Sequence, residues 1–95
     1  MTSVSGAPRG HFSLLYFASA SSYTGKDYEA WPAPLPLSKL FTELESKYPG
    51  IQSRILDSCL ITVNLGYVDP GAGDASGPFI EEFDEVAIIP PVSSG

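Results

Sequence analysis

Ninety-five residues allow one domain with one small core. Apolar residues make up 43% and charged residues 17%, a globular rather than disordered composition. Eleven acidic against five basic side chains leave a net charge of −6, which disfavours nucleic acid and anionic membranes and suits a basic protein partner.

Residues 1–10 are small and polar, with Gly6, Pro8 and Gly10, and read as a flexible N-terminal arm. His11 to Ala18 is the first predicted strand. Phe12, Leu14 and Tyr16 point to one face, and Ser13, Leu15 and Phe17 to the other. Large apolar groups on both faces fit a central strand. His11 is the lone histidine, and no second histidine or cysteine pairs with it, so a strand-end role is favoured over metal or nucleophilic work. Ser19 to Lys26 reads as a connecting segment. Asp27 to Ala33 reads as a weak strand, which Pro32, Pro34 and Pro36 confine to a sheet edge. A proline-rich ligand is the functional alternative there, though the spacing forms no strong motif.

Pro36 to Tyr48 carries the main helical signal. Leu37, Leu40, Phe41, Leu44 and Tyr48 follow helical spacing, and Glu43 and Lys47 stand i,i+4 in the favourable order. Pro49-Gly50 ends it. Ile51 to Asp57 suggests a short helical turn. Leu60 to Leu65 reads as a strand, with a bend at Gly66 and a short strand at Tyr67-Val68. Cys59, the lone cysteine, allows no internal disulfide and no cysteine cluster, and it reads as a small buried hydrophobe. Asp69 to Pro78 is rich in glycine and proline and reads as a loop that can be shortened at little cost. Glu81, Glu82, Asp84 and Glu85 read as a solvated turn rather than a paired-carboxylate site. Val86 to Ile89 alternates as the last strand.

The chain then ends in Pro90-Pro91-Val92-Ser93-Ser94-Gly95. Two prolines cannot continue a sheet ladder and hold the backbone near polyproline geometry. Six extended residues span about 20 Å, enough to enter a deep pocket on another protein. Gly95 would present an unhindered carboxylate for activation; the alternative is an inert terminal tail. No secretory leader is recognised and no apolar run approaches the ~20 residues of a membrane span, so the expected location is the cytosol.

Phe83 to Gly95 resembles the C-terminus of the molybdopterin synthase small subunits, a family of sulfur carriers. Leu14-Leu15-Tyr16-Phe17-Ala18 resembles their first strand, Leu44 to Gly50 the end of their helix, and Thr62-Val63-Asn64 their middle strand. Ser94 departs from the family, which usually has glycine there. The resemblance implies an α+β, ubiquitin-like β-grasp fold over residues 11–89. It would have a mixed sheet, one main helix on one face and an extended tail at 90–95. It further implies that the uncovered sheet face carries Leu15 or Phe17 beside Ile89, with Tyr67, as a partner interface. Pro90, Pro91, Val92, Ser93 and Ser94 would then thread into the large subunit.

In that family an E1-like enzyme uses ATP to adenylate the terminal glycine, here Gly95. Sulfur then converts the acyl-adenylate to a thiocarboxylate, which donates to cyclic pyranopterin monophosphate and builds the molybdopterin dithiolene. The implied assembly is a heterotetramer of two small and two large subunits, with the active site on the large subunit. The carrier itself would bind no cofactor and no metal; Gly95 would carry AMP, then sulfur. Other β-grasp carriers, for thiamine synthesis or for tRNA thiolation and conjugation, remain alternatives, as does a non-carrier interaction module.

Overall fold

The computed structural model describes residues 7–71, 73–74 and 76–91. In chain order the elements are β1 (His11–Tyr16), α1 (Ser19–Thr24), β2 (Tyr28–Pro32), β3 (Leu35–Pro36), a 3-10 turn (Leu37–Lys39), α2 (Leu40–Lys47), α3 (Ile51–Arg54), a second 3-10 turn (Leu56–Ser58), β4 (Leu60–Val63), β5 (Gly66–Val68), β6 (Phe79–Ile80) and β7 (Glu85–Ile89). Five strands form one mixed sheet in the order β2-β1-β7-β4-β5. β1 runs parallel to β7 at its centre, and the remaining pairs are antiparallel.

Alternation along the strands decides the two faces. Phe12, Leu14 and Tyr16 of β1 join Val86 and Ile88 of β7 and Ile61 of β4 beneath the helices, all buried. Leu37, Leu40 and Leu44 supply the helical side, one turn apart, and Ile51, Ile55 and Leu56 extend it. Each such leucine, fully withdrawn from water, contributes roughly 1.5–3 kcal/mol before conformational entropy is counted. Among the described residues, the helices bury their apolar side chains on this face and leave the second face of the sheet uncovered.

The proline-bearing strand β2 lies at the sheet edge, as its composition predicts. Several expectations need correction. Ser19 to Lys26 is no simple connection: Ser19–Thr24 is helical, sealed by the buried Ala20 and ended by Gly25 in the left-handed region, φ 77°. Its serines and threonine are weak helix formers, so packing rather than propensity makes it helical. The main helix opens with a 3-10 turn after Pro36 and becomes α-helical only at Leu40. Lys47 pairs with Glu29 of β2, not with Glu43. The bend between β4 and β5 falls at Asn64-Leu65, and Gly66 belongs to β5.

The segment from Asp69 to Pro78 is a loop, as its composition predicts, with its ends anchored. Pro70 is buried, the Pro78 carbonyl accepts the Leu37 N–H at 2.9 Å, and Asp74 bridges Gly77. Directly after it, β6 pairs with β3 in a second, two-stranded sheet that buries Ile80. The end of the N-terminal arm is also tied down. His11 N donates to Pro8 O at 3.1 Å, Gly10 O accepts from Ala33 N at 2.8 Å, and Gly10 N donates to Glu82 Oε2 at 2.6 Å. The acidic turn is exposed at Glu81 and Glu82, as expected of a solvated turn, and Asp84 accepts from the Glu81 N–H at 2.8 Å.

Candidate functional site: the uncovered sheet face

Register assembles the uncovered face from residues far apart in sequence. Leu15 lies opposite Ala87, Thr62 opposite both Ala87 and Tyr67, and Leu60 opposite Ile89. The Phe17 N–H donates to Ile88 O at 3.2 Å, which carries the β1–β7 ladder one residue past β1 and sets Phe17 beside Ile89. Phe17, Tyr67 and Ile89, the three interface candidates, line one depression of about 310 Å³ together with Leu15, Thr62, Leu65, Glu85 and Ala87. Phe17 is 47% exposed and Tyr67 74%. These side chains leave a contiguous apolar surface open to water on this face.

Phe17 also borders two neighbouring depressions. One, of about 620 Å³, runs toward β2 under Tyr28 and Leu15 and is edged by Asp27 and Ser21. The other is bounded by Phe17, Ala18, Ile89 and Pro90, where the chain leaves the sheet. Pro90 is buried and Pro91 exposed, so the departure from the sheet begins at the edge of this open face. Val92, Ser93, Ser94 and Gly95 lie outside the described residues.

Two features of this region are missed by reading the sequence. The first is Leu65, 88% exposed at the rim of the central depression. Asn64 and Leu65 both hold positive φ, 50° and 73°. Asparagine tolerates that region, but leucine there costs about 1–2 kcal/mol. The following Gly66 draws attention to itself as the bend, which hides the two residues that make it.

The second is Glu29, on the helix-facing side of β2. Its carboxylate accepts from the Tyr16 hydroxyl, from Tyr48 Oη at 2.9 Å and from Lys47 Nζ at 3.0 Å, while Lys26 Nζ lies 3.4 Å away. Burial would raise its pKa, but donation from Tyr16, Lys47 and Tyr48 outweighs that and lowers it from 4.5 to about 2. The buried Trp31 indole N–H makes no hydrogen bond among the described residues. Burial first, and then the anionic Glu29, push the Tyr16 hydroxyl far above its ordinary value. This cluster closes the edge of the core and has no reacting partner; it holds the scaffold on which the open face is displayed.

Cys59 is half-buried and donates from Sγ to Ile55 O at 2.9 Å. Burial pushes its thiol up to about 11, so it is protonated at neutral pH and a poor nucleophile. Among the described residues no group of three or more histidine, cysteine, aspartate or glutamate side chains could hold a metal, and no helix is long and apolar enough to cross a membrane.

A central pair of parallel strands, hairpins on either side and helices on one face define the ubiquitin-like β-grasp class. The chain's solved structural counterparts include the archaeal modifier SAMP1 from Haloferax volcanii, at TM-score 0.67 and 21% identity over 90% of this chain and 100% of that one. They also include a complex of subunits 1 and 2 of the molybdopterin-converting factor from Helicobacter pylori 26695, at TM-score 0.58 and 19% identity over 90% of this chain and 99% of that one. At these identities the likeness establishes the fold. Sequence narrows it: the ThiS family matches residues 14–95, and a molybdopterin synthase sulfur carrier subunit from Pyrenophora tritici-repentis is 62% identical over 94% of this chain and 95% of its own. The chain belongs to the ThiS family of sulfur carriers, on the molybdopterin synthase branch.

Proposed function

We propose that this protein is the sulfur carrier subunit of a molybdopterin synthase and that Gly95 is its sulfur-bearing residue. The observation that carries the reading is the apolar face around Phe17, Tyr67 and Ile89, with Pro90 leaving the sheet at its edge. A carrier of this design needs a docking surface and a tether that starts beside it. Pro90 and Pro91 stiffen the start of the tether, and Val92, Ser93 and Ser94 give it reach into a partner.

A carboxylate is a poor electrophile. An E1-like partner activates that of Gly95 by attack on ATP, which releases pyrophosphate and leaves an acyl-adenylate. A sulfur nucleophile from a donor then displaces AMP and leaves the thiocarboxylate. The carrier docks on the large subunit, whose active site holds cyclic pyranopterin monophosphate, and two deliveries of sulfur build the dithiolene. The subunit 1–subunit 2 complex of the same fold supports a large-subunit partner. In this reading two carriers and two large subunits make a heterotetramer, each carrier docked by its own open face. The carrier contributes no general acid or base and binds no cofactor of its own. The single unpaired cysteine, Cys59, agrees with a reducing compartment such as the cytosol.

The test is the intact mass of the protein after incubation with the activating enzyme, ATP and a sulfur donor. One oxygen at Gly95 replaced by sulfur is the expected product. An unchanged mass with an active enzyme preparation would sink the proposal.

A further inference from the structure

We infer that the Asn64-Leu65 turn is a preordered anchor of the docking face, with Leu65 entering an apolar, basic-rimmed pocket on the large subunit. This rests on the carrier reading above. Leu65 is the most exposed large apolar side chain among the described residues, and it stands on the rim of the depression shared by Phe17, Tyr67 and Ile89. The anchor is therefore continuous with the proposed docking surface.

The turn is built to hold one shape. Asn64 Nδ2 donates to Asp84 Oδ1 at 3.0 Å, the Glu85 N–H donates to Asn64 Oδ1 at 2.9 Å, and the Asn64 N–H donates to Glu85 O at 2.8 Å. Asp84 Oδ2 is held in turn by the Glu81 N–H at 2.8 Å. A two-residue turn that served only to join β4 and β5 would favour Asn-Gly, because both positions have positive φ. Leucine in the second position strains the backbone and buries almost nothing within the domain. Strain kept at an exposed apolar tip belongs with recognition, where the side chain gains its contacts from a partner. The clasp to Asp84 and Glu85 removes the ordering cost from the binding step. Glu85 lines the same depression as Leu65, so the matching pocket has a basic rim.

The test compares Leu65→Gly with Phe17→Lys for binding to the large subunit, by calorimetry and by dissociation rate. Glycine suits φ 73°, so Leu65→Gly should melt at or above the parent temperature. Its affinity should nevertheless fall on the order of tenfold or more, mainly through faster dissociation. Asp84→Ala should also weaken binding, but not further in the Leu65→Gly background, since the clasp acts through Leu65. Parent affinity for Leu65→Gly with lost affinity for Phe17→Lys overturns the anchor and leaves the docking face standing. Parent affinity for both overturns the docking reading and the anchor together. An Asp84→Ala loss of equal size in both backgrounds overturns the positioning role of the clasp.

Discussion

Lys47 Nζ lies 3.0 Å from Glu29 Oε1, and this contact joins the end of the main helix to the outer strand of the sheet. Tyr16 and Tyr48 hold the same carboxylate from the neighbouring strand and from the residue after the helix. Half of the Lys47 side chain is in water, so the ion pair alone is a small stabiliser. The buried Tyr16 and half-buried Tyr48 donors give the cluster its weight, because a carboxylate–hydroxyl hydrogen bond shielded from solvent is stronger than an exposed one.

Acid should therefore loosen this edge. Folded Glu29 has its pKa lowered to about 2 from 4.5, so the unfolded chain takes up the proton more readily. Its stabilisation is complete above the unfolded value and is lost as pH falls through the folded one. Thermal melts taken from neutral pH down to about 2 should show the parent losing stability across that window. Glu29→Gln should be less stable at neutral pH, on the order of 1–2 kcal/mol, with a flatter acid limb. Parallel acid limbs would assign the pH dependence to other carboxylates.

The docking face makes a separate demand. Phe17→Lys or Ile89→Lys places a charge at the centre of the proposed interface without touching the helix-side core. Each should cost about 2–5 kcal/mol in large-subunit affinity while circular dichroism and melting stay near the parent. Unchanged calorimetric affinity for both would remove this face from the interaction.

Gly50 is needed for the corner between α2 and α3. Its φ is 91°, and a Cβ built there would stand 2.6 Å from Tyr23 Oη, which donates to Pro49 O at 2.7 Å. Gly50→Ala must both strain the backbone and displace Tyr23, at a cost on the order of 1–3 kcal/mol. Gly10→Ala is the control: φ is 74° but no atom lies within 4 Å, so its loss should be smaller. Equal melting temperatures for the two variants would show that Tyr23 yields freely.

The sulfur-transfer reading depends on the last residue. Deleting Gly95 leaves Ser94 terminal, with a Cβ and hydroxyl beside the carbonyl to be activated. Adding one residue moves the carboxylate by ~3.5 Å. Both variants should abolish thiocarboxylate formation and molybdopterin synthesis in a reconstituted assay, and Ser94→Gly should retain them. Parent-rate synthesis by the deleted or extended protein would remove Gly95 from the chemistry.

The sequence by itself determined which residues turn inward. Phe12, Leu14 and Tyr16, Val86 and Ile88, and Leu40 and Leu44 follow the periods of a strand and of a helix, and period alone places them on one face. It also determined the edge position of β2 and the end of β7, because proline has no N–H for the ladder. The resemblance of residues 83–95 to the sulfur carriers already pointed to a face holding Phe17, Tyr67 and Ile89. Tertiary structure alone decided the rest. Tyr16, Lys47 and Tyr48 lie 13 to 19 residues from Glu29, and its one nearby donor, Lys26, is exposed and does not mark it as a half-buried carboxylate with a lowered pKa. Ser19–Thr24 is helical because Ala20 packs into the core, against a weak local preference. The β3–β6 pair joins segments separated by two helices, β4, β5 and a loop. Leu65 becomes a projecting tip only when Asn64 reaches Asp84, 20 positions along the chain. Local pattern determines which way a side chain faces; its charge state and its role depend on groups that only the folded chain brings within bonding distance.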